Sequence, residues 1–202
     1  MECDASYVSR SARSRLRSRL VSKLSQAIAE GDGISFIVEV SDAASAKSAE
    51  SQGADGLAAV ESVNAVRMTS QLPLLHLGRM FDASGAAAEA VVIRPDLAMW
   101  DEAHALGLEC VVRVAESEDL ERALRDFDPE VFLLSVGEDD DDDPLAVVLE
   151  LLHDVPAGKL AIADMRDATP DDVSELERSG MDAVLVAHGG FSALAQSDLP
   201  DV

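Results

Sequence analysis

From Ile34 onward the chain alternates short runs rich in Val, Ile and Leu with longer polar stretches whose apolar residues recur at helical spacing. The runs are ISFIVEV (34–40), DGLAAVE (55–61), PLLHL (73–77), AVVIR (90–94), ECVVRVA (109–115), EVFLLSV (130–136), KLAIAD (159–164) and DAVLVA (182–187). Near-continuous apolar runs suit strands buried on both faces, and the stretches between them have the length of the helical crossovers that parallel strands need. Eight such units predict an α/β fold of the (βα)8 TIM-barrel type over residues 34–202, with a doubly wound open sheet as the alternative.

Residues 1–33 follow a different pattern and read as an N-terminal helical extension. Val8, Leu16, Leu20, Leu24 and Ile28 are spaced to give an amphipathic helix over Ser14 to Ala29, stopped by Gly31 and Gly33. Arg10, Arg13, Arg15, Arg17, Arg19 and Lys23 make the segment basic. It is expected either to close the barrel or pack on the chain's own acidic body, or to serve as an arm for an acidic partner or anionic ligand.

Charge changes the picture more than length does. The formal net charge of the 202 residues is −23, with Lys23, Lys47 and Lys159 the only lysines. Such a surface excludes a general nucleic-acid partner, which would need a positive patch, and suggests a protein kept soluble in high salt. The longest apolar runs fall far short of the roughly 20 residues that span a bilayer, so neither membrane anchor nor signal peptide is expected. Cys3 lies in a polar tail and Cys110 in an apolar strand, a placement that predicts no disulfide and fits the cytoplasm. The acidic run Asp139 to Asp143 lacks the alternating ligands and central glycine of a calcium loop and reads as a solvated loop.

In a barrel of this type, chemistry gathers at the carboxyl ends of the strands. There the sequence offers Glu39, Asp164 and His76 as candidate acid–base groups, and Arg79, Arg113, Arg166, His188, Gly189 and Gly190 as candidate ligands for a phosphate or other small anion. Each has a plainer counterpart. Gly189 and Gly190 also fit a simple turn, and Glu39 with Arg113 also fits an interior ion pair. His76 and His188 with Asp164 form a conceivable metal set, but the spacing carries no metal signature, and no metal or cofactor is expected.

Between Glu109 and Ala187 the chain resembles indole-3-glycerol phosphate synthase. ECVVRVAESEDLERAL (109–124) is similar to that family's fifth strand and helix, EVLVEVHDEEELERAL; ATPDDVSELERSGMDAVLVA (168–187) resembles its approach to strand eight, and GADGLAAVES (53–62) its strand two. Most of the chain can be laid on the family, which also carries an amino-terminal helical extension. The resemblance implies a phosphate-binding barrel of tryptophan biosynthesis, a carboxy-lyase that closes a ring, using a lysine general acid and a carboxylate partner. It matches the strand-one glutamate to Glu39. The lysine of the family's E-x-K is Ser41, however, and the long loop after it is missing. The strand-three lysine of L-R-K-D-F falls on a hydrophobe within Leu75-His76-Leu77-Gly78-Arg79, and the strand-five glutamate is Arg113. The strand-six asparagine is Ser135, strand seven's S-E-S-G-I is Ala163 to Asp167 with only the acid kept, and strand eight's G-E-S is Ala187-His188-Gly189.

Three readings follow. The chain is a divergent member that keeps the fold, has lost ring closure and binds a small anion; or a working synthase with displaced groups; or another phosphate-barrel isomerase or lyase using Glu39 and Asp164. Loss of both lysines and of the strand-five glutamate removes several terms commonly worth about 100-fold each, which favours the first. Oligomeric state is not legible.

Overall fold

The computed structural model describes residues 23–78, 87–137 and 143–197, without the side chains of residues 196 and 197. Arg79, Cys3, most of the arginine-rich arm and residues 139–142 of the acidic run therefore lie outside the described residues.

Eight parallel strands close into a barrel in sequence order: β1 (Ser35–Glu39), β2 (Gly56–Ala59), β3 (Leu74–His76), β4 (Ala90–Ile93), β5 (Glu109–Val114), β6 (Val131–Leu134), β7 (Leu160–Asp164) and β8 (Ala183–Ala187). The sheet closes where β1 pairs with β8, from Ser35 opposite Ala183 to Glu39 opposite Ala187. Each strand lies inside the apolar run that predicts it, and the closed sheet excludes the open-sheet alternative.

The described helices are α1 (Leu24–Ala29), α2 (Ala43–Ser51), α3 (Val63–Arg67), α4 (Leu97–Leu106), α5 (Ser117–Asp126), α6 (Pro144–Asp154), α7 (Pro170–Arg178) and α8 (His188–Ser197). Their starts are written locally. Asp42 accepts from the Ala44 and Ser45 amides at the head of α2, and Ser45 returns the bond to the Asp42 amide. Thr169 and Asp172 form the same reciprocal box at the head of α7, with Pro170 in its first turn.

Two hydrophobic layers result from the two-residue alternation of the strands. One set, including Val38, Leu57, Leu74, Val112, Phe132 and Val184, packs outward against the helices. The other fills the barrel in tiers: Ala58, Leu133 and Leu185, then Ile37, Leu75, Val111 and Ile162, then Ala90, Val131 and Ala183. Below them Leu24 and Ile28 of α1 join the same interior cluster, so this short helix forms the floor of the barrel. The Ser25 amide donates to Glu109 there at 3.2 Å.

Acidic side chains recur at the amino ends of the even strands. Asp55 accepts from the Phe36 amide at 2.8 Å, Glu89 from Leu74 at 3.0 Å and Asp182 from Ala161 at 2.8 Å, each tying a strand to its predecessor. Part of the negative charge is thus built into the sheet rather than carried on solvated helix faces.

Candidate functional site

Continuing the interior alternation by one tier brings Glu39 of β1, Arg113 of β5 and Asp164 of β7 to the carboxyl-end mouth. An uncompensated charge at this depth would be costly, so two cations and two anions meet. Arg113 Nη2 donates to Asp164 Oδ2 at 2.9 Å. Arg166, in the turn after β7, donates through Nε to the other oxygen of Asp164 and through Nη1 to Glu39. Asp164 is the deepest member, its side chain 9% exposed against about 30% for each of the other three. Burial pushes the Asp164 carboxyl above its ordinary range, while the Arg113 guanidinium pulls it back; burial alone lowers Arg166 from its usual value.

The network divides the mouth. A hollow of about 440 Å³ is lined by Arg113, Asp164 and Arg166, with Ser135, Asp143, Asp167 and Asp172. A second of about 380 Å³ lies over β1 and β2 and is lined by Glu39, Ser41, Ser45, Val60, Glu61 and His188. Arg166 faces the first and Glu39 the second, so their ion pair stands where the two meet.

Of the residues singled out by sequence, Glu39, Asp164, Arg113 and Arg166 are therefore brought together. The pairing differs from the expected Glu39–Arg113 contact, because Arg166 reaches across from the β7–α7 turn and takes Glu39, leaving Arg113 to Asp164. His188, Gly189 and Gly190 occupy the first turn of α8, which starts directly after β8; the expected glycine turn is helical instead. A Cβ on Gly190 would lie 3.3 Å from the Arg166 carbonyl, so this glycine permits close approach of the two loops. Nε2 of His188 is buried without a hydrogen-bond partner. His76 sits elsewhere. Its strand position shares the outward parity of Leu74, it is 3% exposed, and its Nδ1 lies 3.3 Å from the Ala59 carbonyl. It is among the lining residues of neither hollow.

Asp143 and Asp172 were not separable from other acids in the sequence; both line the first hollow because Asp143 caps α6 and Asp172 completes the box with Thr169 in the first turn of α7. The local signals are Asp143 directly before Pro144 and the Thr169-to-Asp172 spacing of a capping box. Among the described residues, no group of three His, Cys, Asp or Glu is placed to hold a metal. No described helix is long and apolar enough to cross a membrane.

A closed (βα)8 barrel with a charged mouth defines the class of protein, and comparison with known proteins adds a direction. No protein-family model matches the chain. It is 27% identical over 183 residues to indole-3-glycerol phosphate synthase of Variovorax paradoxus (strain S110), covering 84% of this chain and 66% of that protein. To the synthase of Geobacillus sp. (strain WCH70) it is 27% identical over 182 residues, covering 76% and 68%. A shorter match of 98 residues to that of Shouchella clausii (strain KSM-K16) reaches 30% identity and covers 44% and 35%. The chain thus spans about two thirds of the length of the first two relatives.

Among solved structures, N-acetylmannosamine-6-phosphate 2-epimerase from Clostridium perfringens superposes with a TM-score of 0.62 at 17% identity, over 78% of this chain and 87% of that one. Thiamine phosphate pyrophosphorylase from Pyrococcus furiosus gives 0.57 at 13% identity, over 83% and 97%. The chain is distantly similar to indole-3-glycerol phosphate synthase and shares its barrel fold with these two enzymes.

Proposed function

We propose that this chain is a divergent barrel of the indole-3-glycerol phosphate synthase type that has lost lysine-dependent ring closure and uses its mouth to bind a small phosphorylated or otherwise anionic ligand. The observation that carries the reading is where the chain's lysines lie. Lys23 precedes α1, Lys47 is exposed on α2, and Lys159 precedes β7 at the opposite end of the barrel, 2.6 Å from Asp128. None can deliver a proton at the mouth. Arg166 cannot substitute, because a guanidinium stays protonated and this one is already committed to two carboxylates.

The anionic ligand is supported by the compounds that the names of the similar proteins carry, each a phosphate ester. Arg166, which lines the first hollow, supplies the charge-assisted donors such a group needs. The test is formation of indoleglycerol phosphate from its carboxyphenylamino-deoxyribulose phosphate precursor by purified, folded protein in low and in molar salt. No turnover under either condition is expected; clear turnover would sink the proposal.

A second reading, an isomerase or lyase using Glu39 and Asp164 as base and acid, draws on their sharing one guanidinium and on the raised Asp164 carboxyl. It requires solvent deuterium to enter a sugar phosphate at the carbon beside its carbonyl, and Glu39→Gln or Asp164→Asn to stop that exchange.

A further inference from the structure

The ion pair between the two hollows constrains what enters them. Arg166 faces the first hollow, and its partner Glu39 faces the second. A plain anion that takes Arg166 leaves Glu39 without its cation, and a plain cation that takes Glu39 leaves Arg166 without its anion. Both side chains are only about 30% exposed, so stranding either is costly. A molecule bearing both charges meets neither penalty: its anion replaces Glu39 on Arg166, its ammonium replaces Arg166 on Glu39, and every charge stays paired.

The linings favour the same class. In the first hollow two guanidinium groups face the carboxylates of Asp143, Asp164, Asp167 and Asp172, a balance that disfavours a free dianion. Two of those acids are occupied by helix starts, Asp143 with the Leu145 amide and Asp172 with the Thr169 amide and hydroxyl. In the second hollow Glu61 adds a carboxylate to that of Glu39, and Ser41 offers a hydroxyl oxygen, while the Ser45 hydroxyl is engaged with Asp42 at the head of α2. An ammonium group, with three donors and no acceptor, matches that set.

We infer that the mouth selects a small zwitterion, an anion that also carries a protonated amine, which inserts into the Glu39–Arg166 ion pair and spans both hollows. The inference rests on the anionic-ligand reading above and narrows it. Glu39 and Glu61 become the residues that set specificity, and Arg166 the anion's anchor.

Calorimetric titration of the full chain at fixed salt with three probes, inorganic phosphate, ethanolamine and phosphoethanolamine, tests it. Phosphoethanolamine is expected to bind at least tenfold more tightly than either of the others. In Glu39→Gln that preference over phosphate should collapse, because the carboxylate that receives the amine is gone and Arg166 is released to a plain anion. Glu61→Gln, which leaves the ion pair intact, should weaken phosphoethanolamine while leaving phosphate unchanged, and serves if the first variant does not fold. Equal binding of phosphate and phosphoethanolamine by the native chain overturns the zwitterion while leaving the anion reading standing. Binding of none of the probes overturns both.

Discussion

Arg113 and Arg166 bring two cations against the carboxylates of Asp164 and Glu39, so the mouth carries two cations and two anions in contact. Removing one partner uncovers the cost. Arg113→Gln leaves Asp164 with Arg166 alone and is expected to lose about 1–3 kcal/mol at neutral pH, read from urea unfolding. The sign with pH follows from burial: the Asp164 carboxyl is raised, so folding favours its protonated form, and the cost of burying it ionised grows as pH rises through that raised value. The Arg113→Gln penalty should therefore shrink as the solution is acidified below the ordinary carboxylate range; a penalty independent of pH would remove Asp164 as its source. Cys110 makes a second case. Burial, with Glu109 beside it, pushes the thiol up to about 11, and the side chain is 6% exposed. Alkylation mapped by peptide mass should leave Cys110 unmodified at pH 8 until the barrel unfolds. Because the folded thiol is raised, its neutral form adds no penalty below the unfolded value, and stability falls as pH rises from there toward about 11.

At the scale of elements, short polar side chains fix where helices begin and how strands are tied at their amino ends. Thr169→Ala breaks the box at the head of α7 and is expected to cost about 1 kcal/mol. Asp182→Ala strips the Ala161 amide of its acceptor in a part-buried position, and about 1–3 kcal/mol is expected. The floor of the barrel is the larger effect. Leu24 is 1% exposed within the interior cluster, so Leu24→Ala should destabilise the chain by about 2–5 kcal/mol in a denaturant titration, whereas an undocked α1 would give almost nothing.

For the molecule as a whole, a net charge of −23 means that compaction works against self-repulsion, which salt screens over a Debye length of about 10 Å at 0.1 M. Thermal unfolding is expected to shift upward between low and molar potassium chloride. A flat or falling profile would remove the high-salt reading and leave an ordinary acidic protein. The half-buried acids that bond strand amides, Glu89 and Asp182, and the pairs at the mouth belong to the packed fold, so the salt response should come from the exposed acids, most of them on helix faces.

The eight strands and the barrel class were legible in the sequence because burial on both faces of a parallel strand forces an apolar run, and that run survives in one dimension. Glu39, Arg113 and Asp164 were legible as mouth residues for the same reason, since strand parity and strand end are both local properties. His76 shows the limit: it lies at the end of a strand, but parity turns it into the helix layer. The partner of Arg166 was beyond reach, because a turn residue has no fixed parity and its guanidinium meets a strand 127 positions away. The helical start at Gly189 and Gly190 was hidden as well, since glycines fit a turn and a first helical turn equally until the packing against Arg166 decides. Periodicity thus determined the barrel and the layer in which its charges sit; closure of the barrel decided which charges meet, because contact between distant strands is set by three-dimensional proximity that no local pattern encodes.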